Sequence, residues 1–297
     1  MKAIKKSFVF IPLLITVMLI VIAIAVLTAG QPNEIKIYTG AEFIRFVETA
    51  AATPGKRAVL YADIKVSEEY EPISLACELD GNGYTLTVKD TGIPSLFSRI
   101  TETGRVKNLI LAGKEGSTDI DVTAGIAAEN LGTIENCKVC ADFAGGKSVN
   151  GICHINGGVI SNCLVLSYES GNRSSQYTWD PICKENSGSV TDCYYSDESL
   201  GKYDTVGAYI SSKEIQSEKL LNALKEYSKK DTGLAGWVND EKGYPALTPE
   251  DSSTAASAFS GGNGVFIVCI IILIIAVPIF TIVYADKQKK KVFYDKA

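Results

Sequence analysis

The sequence predicts an all-β solenoid, a single-stranded parallel β-helix, and three observations predict it. The first is one phrase written three times: GIAAENLGTIENC (Gly125 to Cys137), GICHINGGVISNC (Gly151 to Cys163) and PICKENSGSVTDC (Pro181 to Cys193). The second is the offset between copies, 26 and then 30 residues, the length of one supersecondary unit stacked on its neighbours. The third is that no segment from Asp80 to Tyr195 has the 3.6-residue apolar spacing of a helix, which removes helical repeats. The units also lack the several leucines that a leucine-rich repeat needs.

Column by column, the repeat assigns each residue type a task. Ile126, Ile152 and Ile182 share one column, and Ile134, Ile160 and Val190 share a second. Both are expected to point inward, each side chain lying about 4.8 Å from its copy on the next coil. Between them stand Asn130, Asn156 and Asn186, then Gly132, Gly158 and Gly188. Glycine and asparagine are expected at corners that need left-handed backbone angles, and stacked asparagines are expected to form amide ladders. Asn136, Asn162 and Asp192 follow, then Cys137, Cys163 and Cys193. A fainter copy, TGRVKNLIL, places Gly104, Val106, Asn108 and Leu109 in the same columns, and ELDGNGYTLTV (Glu78 to Val88) has a similar turn-then-strand texture.

The three phrases resemble the GLUG-type repeat of bacterial surface proteins, and FSRITETGRVKNLIL resembles the commoner coil of bacterial β-helix adhesins. The resemblance covers about residues 78 to 195. It implies a right-handed parallel β-helix, display at the cell surface and a role in adhesion or attachment, some members carrying enzymes in separate domains. The positions after each Gly/Pro-Ile pair hold Ala127, Cys153 and Cys183, a departure that bears on disulfides rather than on the fold.

Two apolar blocks flank the repeat region. Phe8 to Leu27 and Val265 to Tyr284 are each about twenty residues long, enough to span a bilayer core of about 30 Å as helices, and the prolines within them, Pro12 and Pro278, are tolerated there. Residues 8–29 are expected to be a transmembrane helix or uncleaved signal anchor, the alternative being a cleaved signal peptide; residues 265–285 form the second expected span. Lys2, Lys5 and Lys6 precede the first block and Lys287, Lys289, Lys290 and Lys291 follow the second, so the positive-inside bias places residues 1–7 and 286–297 in the cytoplasm and the middle outside. Of 29 basic residues, eight lie in those two tails, leaving 21; of 34 acidic residues two lie there, leaving 32. An outer part this acidic is not a nucleic-acid binder, which needs cations to displace counterions from phosphate.

Within the outer part the chain divides into four. Residues 31–76 hold an N-terminal cap helix, TGAEFIRFVETAAA, with Thr39 and Glu42 at capping-box spacing and Phe43, Phe46 and Val47 on one face, followed by the first strands. Residues 77–210 are the β-helix. Residues 211–248 hold a second cap helix, with Ser211 and Glu214 as its capping box and Leu220, Leu224 and Tyr227 on one face, then a strand pair turning at Lys242-Gly243. Caps are expected because bare ladder ends pair with other chains. Residues 249–264 are a low-complexity stalk.

Few residues carry candidate chemistry. Cys137 and Cys140 form a CxxC pair without a second pair at zinc-finger spacing, and Cys269 lies in the second apolar block, so neither metal nor cofactor is expected. Cys153 and Cys183 share a column, close enough for a disulfide, whereas Cys137, Cys163 and Cys193 read as small inward hydrophobes. His154 is the sole histidine and shares its column with Ala128 and Lys184, a mixture that suits an outward surface. Asp119 and Asp121 are the carboxylates an enzyme would use, since β-helix polysaccharide lyases and hydrolases employ acidic clusters. The coil after Cys163 is four residues longer than the first, and its extra chain, YESGNRSSQYTWD, concentrates Tyr168, Arg173, Tyr177, Trp179 and Asp180. Aromatic faces beside polar groups on an insertion suit a glycan or a surface protein. The sequence therefore points first to a non-enzymatic, membrane-anchored surface β-helix in adhesion or cell-envelope interaction, then to a polysaccharide-active lyase or hydrolase, and third to a subunit of a membrane-embedded assembly.

Overall fold

A computed structural model describes residues 34–49, 51–89, 93–115, 122–143, 148–167, 178–197 and 206–249, all within one compact unit, Pro32–Glu250. The two apolar blocks at 8–29 and 265–285 and nearly all of the stalk lie outside the described residues. Among the described residues, no helix is long and apolar enough to cross a membrane.

Three short strands per coil follow one another in a fixed order, and a fourth joins them in the later coils. In the second full repeat these are Cys153–Asn156 (β15), Val159–Ser161 (β16) and Leu164–Ser167 (β17), then Thr178–Asp180 (β18). Each pairs in parallel with its counterpart one coil away, so Ile134 (in β12, Thr133–Glu135) lies opposite Ile160 and Ile160 opposite Val190 (in β20, Ser189–Thr191). The result is two seven-stranded sheets, one of five strands and one of three, each ordered by increasing or decreasing position along the chain. The described residues thus form an all-β parallel solenoid with two helices. Its interior is one apolar cluster containing Ile126, Ile152, Ile182, Val106, Ile134 and Ile160, all inaccessible to solvent.

The corners divide their labour differently from the expectation of left-handed glycines. The residues at positive φ in the repeat are Asn108, Asn136, Asn162 and Asp192, at 50–54°; asparagine and aspartate are the side chains that accept this region at least cost. The glycine column instead serves close approach: a Cβ on Gly132, Gly158 or Gly188 would sit 2.1–2.2 Å from the carbonyl oxygen of the glycine one coil before. Coils can stack at sheet spacing at this corner only if the side chain is hydrogen.

Both asparagine columns form amide ladders. Asn130 Nδ2 donates to Asn156 Oδ1 at 2.8 Å, and Asn156 Nδ2 to Asn186 Oδ1 at 2.7 Å. At the other corner Asn162 donates to Asn136, Asn136 to Asn108 and Asn108 to Asp80, at 2.7, 2.8 and 2.9 Å. The cysteine column continues from Leu109 through Cys137, Cys163 and Cys193, all buried. Each thiol donates to the carbonyl two residues earlier, at 3.2 Å.

The first helix, Gly40–Thr49 (α1), begins with a reciprocal box: the amides of Tyr38 and Thr39 donate to Glu42 Oε2, and the Glu42 amide donates to Thr39 Oγ1. Phe43, Phe46 and Val47 enter the interior cluster. The second helix departs from the expectation twice. Ser211 and Glu214 close an isolated turn, and the helix, Glu218–Ser228 (α2), starts at Ser217, whose hydroxyl accepts from the Leu220 amide. Nor does it cap an end. Leu220, Leu221 and Leu224, with Ala235, Trp237 and Leu247, pack on Leu164, Leu166, Ile110 and Tyr194, side chains of successive coils whose strand neighbours Leu111, Val165 and Tyr195 face the interior. The segment is a strap along the flank, drawn there because one sheet presents apolar residues on both faces and would otherwise leave a stripe in water.

The strap is also hydrogen-bonded to the corner ladder. Asn108 donates to the Gly233 carbonyl, Asn136 to that of Ala235 and Asn162 to that of Leu224. Trp237 Nε1 donates to Asn136 Oδ1 at 2.6 Å. The strap ends in an antiparallel hairpin, Trp237–Asn239 (β23) with Pro245–Leu247 (β24), turning through Gly243 at φ 82°.

Candidate functional site

The residues singled out in the sequence converge where the three-stranded sheet meets the five-stranded one. Ser148–Asn150 (β14) pairs with β18, setting Asn150 beside Asp180 and Val149 beside Trp179. One corner later β15 pairs with Cys183–Asn186 (β19), setting Cys153 opposite Cys183. Glycine is required at the corner between them, because a Cβ on Gly151 would stand 1.9 Å from the Pro181 carbonyl oxygen.

Off the interior cluster at this corner lie Asn150, itself fully buried, the partly exposed His154 and Asp180, and the exposed Lys184. The Asn150 side-chain amide and His154 Nδ1 are 3.3 Å apart, within hydrogen-bond distance. Burial raises the Asp180 pKa, and the positive charges of Lys184 and His154 act against that rise. A half-buried carboxyl between an imidazole and an ammonium can exchange hydrogen bonds with a polar ligand. Among the described residues, no group of three or more His, Cys, Asp or Glu side chains is arranged to hold a metal ion.

On the inner side, Cys153 and Cys183 are buried free thiols. They share a hydrogen bond, which raises the Cys153 pKa and lowers that of Cys183. The sequence expectation of a bridge is met here only as two thiols in register.

Of the proposed recognition residues, Tyr168, Arg173 and Tyr177 lie outside the described residues, as do Asp119 and Asp121. Trp179 is described, and it is no exposed stacking surface: the residue is 8% exposed and belongs to the interior cluster. The register explains why, since Thr123, Val149 and Trp179 are one column. The signal was present in the sequence, because each stands two residues before the Gly or Pro that opens the repeat phrase.

A further cluster, invisible to motif reasoning, runs across the outer face of the first coils. Glu34, Arg57, Glu78 and Arg105 follow one another in register on Glu34–Ile37 (β1), Arg57–Leu60 (β2), Glu78–Asp80 (β5) and Arg105–Lys107 (β8), with Asp80, Lys107 and Glu135 as a second row. Arg57 bridges Glu34, Glu78 and Asp80 at 2.7–3.0 Å; Arg105 reaches Glu135, Glu78 and, on the strap, Asp231. Burial alone would lower the Arg57 pKa, but the Asp80 and Glu78 carboxylates carry it upward. These ion pairs clamp neighbouring coils together.

No protein-family model matches the chain and no curated protein matches it, so the GLUG-type likeness rests on the repeat residues alone. Among solved structures, a protein from Bacteroides ovatus with the provisional designation immunoglobulin A1 protease is similar at 13% identity. The match covers 73% of this chain and 92% of that one, with a TM-score of 0.39.

Proposed function

We propose that the chain is a membrane-anchored surface protein whose extracellular β-helix acts in adhesion or cell-envelope interaction. The observation that carries this reading is the stack itself. Strands held in strict register by ladders, glycine close contacts and ion pairs make a stiff body with long outward faces, the form that suits presentation of a surface to a partner. The two apolar blocks with lysines on their far sides and the acidic middle support a tethered, outward-facing placement. The partner this reading favours is a glycan or another surface protein.

The test is attachment. Cells carrying the full chain are compared, on surfaces coated with polysaccharide or with envelope fragments, with cells carrying an equally abundant chain that lacks residues 34–249. Attachment that depends on those residues is expected. Equal attachment by both would overturn the proposal.

A further inference from the structure

The first coil carries a rigid aromatic platform that the repeat phrases do not touch. Tyr38 follows β1 and Tyr61 follows β2, so the register that pairs Ile37 with Leu60 sets the two tyrosines side by side. Their rings stack at 5.4 Å between centroids and 27° between planes. Tyr38 is 49% exposed, and among the described residues no large apolar side chain is more so.

A single exposed aromatic residue is ordinary; a stacked pair with one ring tied into an ion-pair network is not. The Tyr38 amide donates to Glu42 Oε2 at 2.8 Å, and this bond is the main cause that lowers the Glu42 pKa. The Tyr61 hydroxyl donates to Glu34 Oε1 at 2.7 Å, and Glu34 Oε2 accepts from Arg57 at 2.8 Å. Lys36 Nζ stands 5.0 Å from the Tyr61 ring centroid. The Tyr61 ring, the Glu34 carboxylate and the Arg57 guanidinium are therefore ordered within one patch before any ligand arrives, with the Lys36 ammonium beside them, so little ordering entropy is lost there on binding.

We propose that Tyr38 and Tyr61 form a binding platform for a pyranose ring of a polysaccharide, the exposed Tyr38 face receiving the apolar C–H face of the sugar while Glu34 and Lys36 exchange hydrogen bonds with its hydroxyls. Aromatic side chains suit this task because one rigid ring offers large contact area beside a polar tip. An anionic bilayer is the less suitable partner. Arg57 is already engaged by Glu34, Glu78 and Asp80, and these three carboxylates with Glu42 outnumber Arg57 and Lys36, which leaves no net attraction for lipid phosphate. The inference deepens the adhesion reading and rests on it only for its biological setting, since ring binding is a property of the isolated protein.

The experiment uses the detergent-solubilised full chain, co-sedimented with insoluble cellulose, chitin and purified peptidoglycan sacculi, and separately with phosphatidylglycerol vesicles. Sedimentation with at least one polysaccharide is expected, weakened tenfold or more in Tyr38→Ala and retained in Tyr38→Trp, with the melting temperature of both variants within a few degrees of the parent. Three outcomes overturn it: no sedimentation with any of the three, sedimentation unchanged in Tyr38→Ala, or Tyr38-dependent binding to vesicles alone. Loss of cell attachment with polysaccharide binding intact would overturn the adhesion role and leave this site standing.

Discussion

Asn136 joins the coils to the strap, and its replacement has a size that can be worked from the structure. Its side chain is fully buried at φ 52°. Its amide donates to Asn108 Oδ1 and the Ala235 carbonyl, while its oxygen accepts from Asn162 Nδ2 and Trp237 Nε1. On removal, Asn108 Oδ1 keeps the Ala235 amide and Asn162 Nδ2 keeps the Leu224 carbonyl. Trp237 Nε1 and the Ala235 carbonyl lose these bonds inside the structure, at about 1–3 kcal/mol each. Asn136→Gly should therefore cost about 2–6 kcal/mol, and Asn136→Ala about one more, because alanine disfavours positive φ. Against a typical total of about 5–15 kcal/mol, the strap is expected to detach first. Urea titration read by tryptophan fluorescence, which includes Trp237, should then precede the far-ultraviolet dichroism transition of the coils. A glycine variant within about 0.5 kcal/mol of the parent, or glycine and alanine variants that are indistinguishable, would refute the reasoning.

Three further outcomes follow from the same geometry. Ile160→Asp places a charge without a partner in the inaccessible interior column, costs several kcal/mol by rough estimate, and should abolish cooperative melting; an unchanged melting temperature would mean the column is not interior. Burial and the bond to Glu34 raise the Tyr61 pKa to about 12, so ultraviolet titration should show a tyrosine ionising late that Tyr61→Phe removes; stability from this group is full below the ordinary tyrosine pKa and is lost as pH rises through about 12. The Asp180 pKa is raised, chiefly by burial, so its contribution is full below the ordinary aspartate value and falls as pH rises through the folded one; Asp180→Asn should flatten that part of the stability profile, and an unaltered profile would contradict the assignment.

Much of the fold was legible because a solenoid writes its register into the sequence. Ile126, Ile152 and Ile182 recur because each sits on the last, and Gly132, Gly158 and Gly188 because each coil would otherwise collide with its neighbour. What the repeat does not encode was harder to read. The strap's apolar face is helix-periodic whether it caps an end or lies along a flank, and only the outward Leu164 and Leu166, which a coil in water should not show, hint at the second. Trp179 stands in the Val149 column, and the long insertion before it masks that register in the sequence. Tyr38 and Tyr61 are 23 residues apart, the spacing of Glu34 and Arg57, but that first coil lacks the repeat phrase, so nothing local joins them.

That the solenoid lies outside the cell is the premise of the proposed adhesion role, and limited proteolysis tests it most directly. Intact cells carrying the full chain with a different epitope at each terminus are treated with protease, beside cells that have been permeabilised first. Loss of the coils from intact cells, with both terminal epitopes protected until permeabilisation, is the result expected of residues 8–29 and 265–285 crossing the membrane. Coils that survive on intact cells and are cleaved only after permeabilisation would contradict it.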